Sequence, residues 1–343
     1  MKIINNKIKY IDIYSKDSQG LVEPNGDRKI LFQRLPQRYQ KSLRKDVWEL
    51  SENSAGVSIS FKTNSSELSV KWIIKLDFSM NHMTDVGVKG IDLYYKENGR
   101  WDYLSSGIPS GKKNKTSLFK GFSDETREYR IHFPLYDSVT SMQIGINEAS
   151  SFEIVKDKDL PIVFYGTSIT QGGCASRPGI AHTNVISRSL GFECINLGFS
   201  GNGHMEESLG GIIAKIEAKL IVIECMANVD LETVKKNTIP LIQAIRNTKK
   251  DRSANIVFVE EAIYNDRNPD QKYIQTIHQK NIELAKQLKI ANDLGHKNVY
   301  IISQVGLIDQ DAEATVDGTH YNDLGFERHA KHLVRSFGDL GLV

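Results

Sequence analysis

The stretch PIVFYGTSITQGG, residues 161–173, joins an apolar run to an abrupt polar turn. The run PIVFYG does not alternate between apolar and polar residues, which is typical of a strand buried on both faces of a parallel sheet. It ends at Gly166, and Thr167 and Ser168 follow before any helical pattern resumes. The stretch therefore predicts a core strand that delivers a short polar segment to the edge of a sheet.

Four similar runs follow toward the C-terminus, namely CINLGF, KLIVIECM, NIVFVEEA and NVYIIS. Between them, apolar residues fall on one helical face in two segments, which contain Leu231, Val234, Leu241, Ile242 and Ile245, and then Ile274, Ile277, Leu284, Ala285 and Leu288. Alternation of strand and helix predicts a doubly wound α/β domain with a parallel sheet.

The first half of the chain has a different period. VSISF (57–61), LSVKWIIKL (68–76), YRIHF (129–133) and MQIGI (142–146) alternate between apolar and polar residues, and Asn98-Gly99 in GIDLYYKENGRWDYL is a strong hairpin signal. Many short alternating runs predict a β-sandwich. We place the boundary near residue 155, with a sandwich over residues 1–155 and the α/β domain over residues 156–343.

Composition excludes several classes of protein. The 343 residues carry 44 Lys and Arg against 42 Asp and Glu, so a net charge of +2 gives no electrostatic reason to expect nucleic acid or an anionic membrane as partner. No stretch approaches the roughly 18 apolar residues of a membrane span. The three cysteines form no C-x-x-C pair, which favours buried free thiols. The first 20 residues lack an apolar leader segment, so we expect a cytoplasmic protein, or a secreted or periplasmic one if a leader has been removed.

Ser168 is the candidate nucleophile of the opening stretch. A phosphate-binding turn is disfavoured, because residues 166–173 contain no Lys for a Walker loop and Ser168 breaks the G-x-G-x-x-G fingerprint. A serine nucleophile needs a base and a group that orients the base. Far downstream, TVDGTHYNDLGF places Asp317 three residues before His320, a spacing that lets the carboxylate reach the imidazole. Taken alone, this pair is also compatible with a solvated turn. His329 and His332, on the last helix, we interpret as solvent-facing.

Two other strand ends offer hydrogen-bond donors for an oxyanion. NLGFSGNGH contains Gly198, Gly201 and Gly203, where a backbone N–H can approach a substrate oxygen closely. ECMANVD contains Asn228, whose side-chain amide is a second candidate donor. Asp230 is expected to cap the helix that starts at Leu231, which leaves Asn228 without a structural explanation.

These blocks together resemble the SGNH (GDSL-like) hydrolases. Ser in GTSIT, Gly in GFSGNG, Asn in MANVD and His in DGTH occur in that family's order. GIDLY at residues 90–94, RLP at 34–36 and VWELSENSAG at 47–56 resemble the N-terminal β-sandwich, jelly-roll-like, of one subgroup. The resemblance implies a flavodoxin-like SGNH hydrolase domain behind that sandwich. The widespread family form is Gly-Asp-Ser, and Thr167 stands here in place of the Asp.

The resemblance assigns roles within a serine esterase. Ser168 would be the nucleophile, His320 the general base and then acid, and Asp317 the group that orients His320. The backbone N–H groups of Ser168 and Gly201 and the side chain of Asn228 would form the oxyanion hole. This mechanism requires no metal and no organic cofactor.

The substrate expected from the subgroup is a short-chain acyl ester, acetyl above all, on a carbohydrate, either a small molecule or an oligosaccharide. The alternatives are a thioesterase, lysophospholipase or arylesterase with the same site, or a non-catalytic sugar-binding protein. Arg177 in CASRPG is a candidate substrate-binding residue, or else it makes only a loop contact. The sandwich either binds sugars through Trp101 and Tyr103 or packs against the catalytic domain, which we favour. Whether the chain forms a homo-oligomer stays open.

Overall fold

The structure, a computed structural model, describes residues 7–157, 159–247, 254–309 and 311–343. The N-terminal stretch that we expected to lack a leader therefore lies partly outside the described residues. The chain forms two compact units. One comprises Met1–Arg38, Ser51–Lys158 and Ser176–Gly179, and the other Tyr39–Leu50, Asp159–Ala175 and Ile180–Val343. Each unit is therefore built from more than one segment of the chain, and the boundary near residue 155 stays a prediction.

The first unit contains two antiparallel sheets. Its strands are β1 Ile8–Ile13, β2 Ser58–Thr63, β3 Glu67–Ile74, β4 Ile91–Glu97, β5 Arg100–Gly107, β6 Lys113–Lys120, β7 Arg127–His132, β8 Val139–Asn147 and β9 Glu153–Val155. One sheet has the order β1-β8-β3-β6 and the other β5-β4-β7-β2-β9. Side chains from both sheets, including Trp72 of β3 and Phe61 of β2, form one hydrophobic cluster.

The predicted alternation places the core of this unit. Leu68, Val70, Trp72 and Ile74 are buried on one face of β3, whereas Leu76 lies beyond the strand and is half exposed. The predicted hairpin joins β4 to β5, and Asn98 and Gly99 have the positive φ angles, 51° and 80°, of a tight hairpin turn. The short helix α2, Asp85–Lys89, belongs to this unit, whereas α1, Lys45–Ser51, lies almost entirely in the Tyr39–Leu50 segment of the second unit.

The second unit contains a five-stranded parallel sheet. Each of the five apolar runs forms one of its strands, β10 Ile162–Gly166, β11 Cys194–Gly198, β12 Leu220–Glu224, β13 Asn255–Val259 and β14 Val299–Ile302. The helices are α3 Ser168–Gln171, α4 His182–Leu190, α5 Glu207–Ile213, α6 Leu231–Arg246, α7 Gln271–Asp293 and α8 Asp323–Asp339. The strand order β11-β10-β12-β13-β14 is the flavodoxin-like order, so the predicted α/β fold is confirmed.

The register of the sheet brings three strand ends to one level. Gly166 at the end of β10 is paired with Gly198 of β11 and with Glu224 of β12. The segments that follow these residues therefore begin side by side at the carboxyl edge of the sheet, where α/β proteins bind ligands. Within the described ranges, no helix has the length and apolar character needed to cross a bilayer.

Candidate active site

Ser168 begins the short helix α3 directly after β10 and is buried. Thr167 is the N-cap of this helix, and its hydroxyl accepts a hydrogen bond from the Ile169 N–H at 3.3 Å. A hydroxyl satisfies an orphan N–H at a helix start much as a carboxylate does. Thr167 can thus take the place of the more widespread Asp before the nucleophile without loss of the cap.

Ser168, His320 and Asp317 form a chain of hydrogen bonds. Ser168 Oγ lies 2.9 Å from His320 Nε2, and His320 Nδ1 lies 2.7 Å from Asp317 Oδ2. Because an ionised carboxylate only accepts, His320 carries its proton on Nδ1, and the Nε2 lone pair faces the Ser168 hydroxyl. The other carboxylate oxygen, Asp317 Oδ1, accepts the N–H groups of His320 and Thr319 at 2.8 and 3.1 Å.

Asp317 is held in its charged form. Partial burial alone would raise the pKa of this carboxyl group, but the hydrogen bonds from the side chain and backbone of His320 outweigh that effect. The pKa therefore lies below its ordinary value, and Asp317 is ionised at neutral pH. An ionised carboxylate in this position orients His320 and stabilises the imidazolium that forms when Ser168 loses its proton.

The segment after β11 carries two glycines with distinct steric requirements. Gly201 has a φ of +67°, in the left-handed region that favours glycine. At Gly203, a Cβ would come within 2.6 Å of the carbonyl oxygen of Gly166. The segment therefore passes so close to the end of β10 that only glycine fits at position 203.

Asn228 is tied to the same segment. Its Oδ1 accepts a hydrogen bond from the Gly203 N–H at 3.2 Å. Among the described residues, none accepts a hydrogen bond from its Nδ2, so the amide N–H₂ can donate to a substrate. Asp230 caps α6 as predicted, because its carboxylate accepts the Thr233 N–H at 2.8 Å.

Arg44 and His204 hold the Gly201 segment, and the sequence analysis missed both. Arg44 Nη1 donates to Asn202 Oδ1 at 2.7 Å and Nη2 to His204 Nδ1 at 3.2 Å, while the guanidinium also pairs with Glu206. Since Nδ1 accepts from Arg44, the other ring nitrogen of His204 carries the proton and donates to the Gly201 carbonyl at 3.1 Å. Arg44 lies in the Tyr39–Leu50 segment, which belongs to the second unit.

Beneath residues 167–172, which carry Ser168 and are called the nucleophile turn below, lies a buried cluster around Glu224. Its two carboxylate oxygens accept from His182 Nε2 at 2.9 Å and His329 Nε2 at 2.7 Å, and the Thr170 hydroxyl donates to it at 3.0 Å. His329 is only 3% exposed, so its predicted position on a solvent-facing surface is wrong. The error arose because its partner carboxylate comes from a distant strand. His332 is half-buried and bonds to the Ser303 carbonyl at 3.2 Å.

The cluster keeps a charged carboxylate in the interior. Burial alone would raise the pKa of Glu224, but the bonds from His182 and His329 outweigh it, and the pKa falls below its ordinary value. Burial lowers the pKa of His329 to about 4, and the neighbouring His182 acts in the same direction. His182, Glu224 and His329 lie close enough to share a metal ion, yet in the structure each imidazole bonds directly to the carboxylate.

Arg177 contacts the GIDLY motif within the first unit. Its Nη1 donates to Asp92 at 2.8 Å and bonds to the Tyr94 hydroxyl, and the guanidinium lies 3.9 Å from the ring centroid of Tyr103. Asp92 is fully buried and also accepts the Gly179 N–H at 2.8 Å. These contacts account for Arg177 without a substrate, and they explain why Asp and Tyr stand two residues apart in the motif.

The three cysteines are free and buried, as predicted. Burial raises the pKa of the Cys174 thiol to about 11, and the charge of Asp317 adds to the effect. A thiol with such a pKa is protonated at neutral pH and is therefore a poor nucleophile.

Family models match both parts of the chain. Residues 159–337 match the GDSL-like Lipase/Acylhydrolase family, and residues 8–152 match the GxDLY domain, described as the N-terminus of Esterase_SGNH_hydro-type. Together with the fold, these matches define a hydrolase that cleaves esters. The chain belongs to the GDSL-like lipase/acylhydrolase family. No curated protein is detectably similar to it in sequence.

Solved structures share the architecture over nearly the whole chain. A protein described as a GDSL-like lipase from Bacteroides ovatus ATCC 8483 is 32% identical, with a TM-score of 0.90 over 97% of this chain and 98% of that one. The salicylyl-acyltransferase SsfX3 from a tetracycline biosynthetic pathway is 16% identical (TM-score 0.76, 100% and 97% covered). A family two carbohydrate esterase from Cellvibrio japonicus is 14% identical (TM-score 0.60, 97% and 98% covered). The last two likenesses concern the fold alone.

Proposed function

We propose that the protein removes short acyl groups, acetyl above all, from carbohydrate esters through a Ser168-His320-Asp317 triad. The observation that carries the proposal is the unbroken chain of hydrogen bonds from Ser168 Oγ through His320 to Asp317. A serine hydroxyl becomes a competent nucleophile only when a base can take its proton, and this chain provides a base in the required tautomer.

The first half of the reaction forms an acyl-enzyme. Ser168 Oγ attacks the ester carbonyl carbon while His320 Nε2 takes the hydroxyl proton, and Asp317 stabilises the resulting imidazolium. The negative charge that develops on the carbonyl oxygen is received by the N–H groups of Ser168 and Gly201 and by Asn228 Nδ2. The imidazolium then gives its proton to the oxygen of the departing alcohol as the ester C–O bond breaks.

The second half hydrolyses the acyl-enzyme. A water molecule gives a proton to His320 Nε2 and attacks the acyl carbon, and the same three donors again hold the oxyanion. The bond to Ser168 Oγ breaks, the proton returns to that oxygen, and the acid is released. The enzyme is regenerated without a change in any oxidation state, so no redox partner takes part.

The choice of a short acyl group on a sugar rests on the resemblance of the chain to the subgroup with a GxDLY domain and on one structural likeness. The fold is shared with family two carbohydrate esterases, although at 14% identity this likeness gives only the layout in which such chemistry occurs.

The test measures acid release from three substrate sets: acetylated oligosaccharides, simple aryl acetates, and esters and thioesters of increasing acyl length. We expect wild type to prefer acetyl groups and Ser168→Ala to have no measurable turnover. A preference for long chains or thioesters would replace the proposal with a lysophospholipase or thioesterase. A folded wild-type protein that hydrolyses none of these substrates but binds sugars would replace it with a sugar-binding protein.

A further inference from the structure

Lys280 is a buried lysine whose ammonium group reaches the turn that carries Asn228. It lies on α7 and is only 6% exposed. Its Nζ donates to the carbonyl oxygens of Met226 at 3.0 Å and of Val229 at 3.1 Å, and it also pairs with Glu261. The ammonium group thus makes two hydrogen bonds to backbone carbonyls and one ion pair with a carboxylate.

The two carbonyl acceptors stand on either side of Asn228 in the chain. Met226 to Asn228 form a single 3-10 turn, closed by a hydrogen bond from the Asn228 N–H to the Cys225 carbonyl at 3.0 Å. Lys280 hydrogen-bonds the carbonyl of Met226, the first residue of the turn, and that of Val229, the residue that follows the turn. The backbone on both sides of Asn228 is therefore fixed to α7, while its side chain is fixed to Gly203.

Glu261 supplies the negative charge that balances Lys280. Glu261, just after β13, is 6% exposed, and burial raises the pKa of its carboxyl group, an effect that the ammonium of Lys280 partly offsets. Its backbone exchanges two hydrogen bonds with the side chain of Asn281, the residue next to Lys280, at 3.0 and 2.9 Å. The pair is therefore anchored from β13 as well as from α7. A buried ion pair is costly to assemble, and a structural role alone would be served as well by apolar residues.

We propose that Lys280, charge-balanced by Glu261, is a positioning residue that holds the Asn228 amide in the oxyanion hole. The inference rests on the oxyanion role given to Asn228 under the proposed function. It extends that role, because preorganised donors stabilise a developing oxyanion only when their position is fixed before the reaction. Lys280 itself touches neither substrate nor reacting atoms.

The test removes both charges together, because Lys280→Met alone would leave Glu261 buried and unpaired. In the Lys280→Met/Glu261→Gln protein we expect kcat for an aryl acetate to fall at least about tenfold, with KM changed less than about twofold. The fall in kcat should not exceed about a thousandfold, which is the cost of losing an oxyanion donor altogether. The single variant Lys280→Arg retains Glu261 and a cation with several donors, so its kcat should lie between that of the doubly substituted protein and that of wild type. Lys286→Met, an exposed lysine of the same helix, is the matched control.

A double-mutant cycle separates positioning from general damage. In an Asn228→Ala background, the charge-removing pair of substitutions should lower kcat less than about twofold further, because the group that Lys280 positions is already absent. Full additivity of the two effects would overturn the proposal, as would unchanged kcat in the doubly substituted protein.

A crystal structure of the Lys280→Met/Glu261→Gln protein gives a readout that does not depend on turnover. We expect the 226–229 turn to shift and the 3.2 Å contact between Asn228 Oδ1 and the Gly203 N–H to be lost. An unmoved turn with that contact intact would overturn the inference, whatever the activity. Failure of the proposed function would appear elsewhere, as absence of ester hydrolysis by the wild-type protein.

Discussion

His329 on α8 donates from Nε2 to Glu224 Oε1 at 2.7 Å, in an interior position where both residues are closed to solvent. The bond links the last helix to the end of β12, directly below the nucleophile turn. His182 makes the equivalent bond to the other carboxylate oxygen. The nucleophile turn therefore rests on a buried ionisable cluster, with measurable consequences for stability.

Acid should destabilise the protein through His329. Its pKa in the folded state is about 4, against an ordinary value of 6.5, so between these values the unfolded chain binds the proton and the folded chain does not. Stability is then lost as the pH falls from above 6.5, by about 2 kcal/mol at pH 5. Glu224, with its lowered pKa, stays ionised in this window and adds its own loss only below pH 4.5. The free energy of unfolding, measured with urea from pH 7.5 to pH 5, checks this expectation.

The matched variant for that experiment is His329→Gln, which retains a donor for Glu224 but does not titrate. We expect its free energy of unfolding to fall by about 2 kcal/mol less than that of wild type over the same pH range. An identical pH dependence in the two proteins would show that His329 is not the group responsible.

Asn228→Ala should lower kcat about a hundredfold to a thousandfold on an aryl acetate, and raise KM much less, because the amide contributes most when charge develops on the carbonyl oxygen. Steady-state kinetics with both parameters resolved decides the matter. Asp230→Ala, which removes the cap of the neighbouring helix, serves as control and should lower thermal stability with kcat retained. Wild-type kcat in Asn228→Ala would remove this residue from the oxyanion hole.

Replacing Arg44 should affect catalysis through the Gly201 segment. In Arg44→Leu, His204 loses the donor that fixes its tautomer, and the Gly201 carbonyl is no longer held in one orientation. We expect kcat to fall about tenfold, a fraction of the cost of a lost oxyanion donor. The neighbouring exposed Lys45→Met provides the comparison. A change confined to KM, with kcat intact, would indicate contact with substrate instead of support of the segment.

Arg177→Met tests two interpretations of the same residue. Removing the partner of the fully buried Asp92 should cost about 3 to 5 kcal/mol of stability, and Arg177→Met/Asp92→Asn should recover part of that loss. Denaturant unfolding of both variants measures the effect. Unchanged stability together with a tenfold higher KM for oligosaccharides would instead favour the substrate-binding role predicted from the sequence.

The elements that could be predicted from the sequence are those whose pattern is local. The five core strands show as uninterrupted apolar runs, and Asn98-Gly99 marks its hairpin because both residues tolerate positive φ angles. The Asp317–His320 pair could be proposed because its members are three residues apart, and the structure joins it to Ser168.

The contacts that could not be predicted join residues far apart in the chain. Arg44 meets His204 across 160 positions, His329 meets Glu224 across 105, and Lys280 meets Met226 across 54. No periodicity encodes such pairs, and Arg and Lys are side chains found most often on protein surfaces. Lys280 and Arg44 were missed for this reason, and His329 was placed on the wrong side of its helix.

The Ser176–Gly179 segment also bears on how the chain is made. Asp92 leaves the ribosome 85 residues before Arg177, its partner in the first unit. Until that partner emerges, the nascent N-terminal unit holds a carboxylate at a position that is buried and paired in the finished protein, and such a charge resists removal from water. The first unit therefore has its full set of buried contacts only after residues 176–179 have been synthesised, by which point the strand and turn that carry Ser168 have also been made.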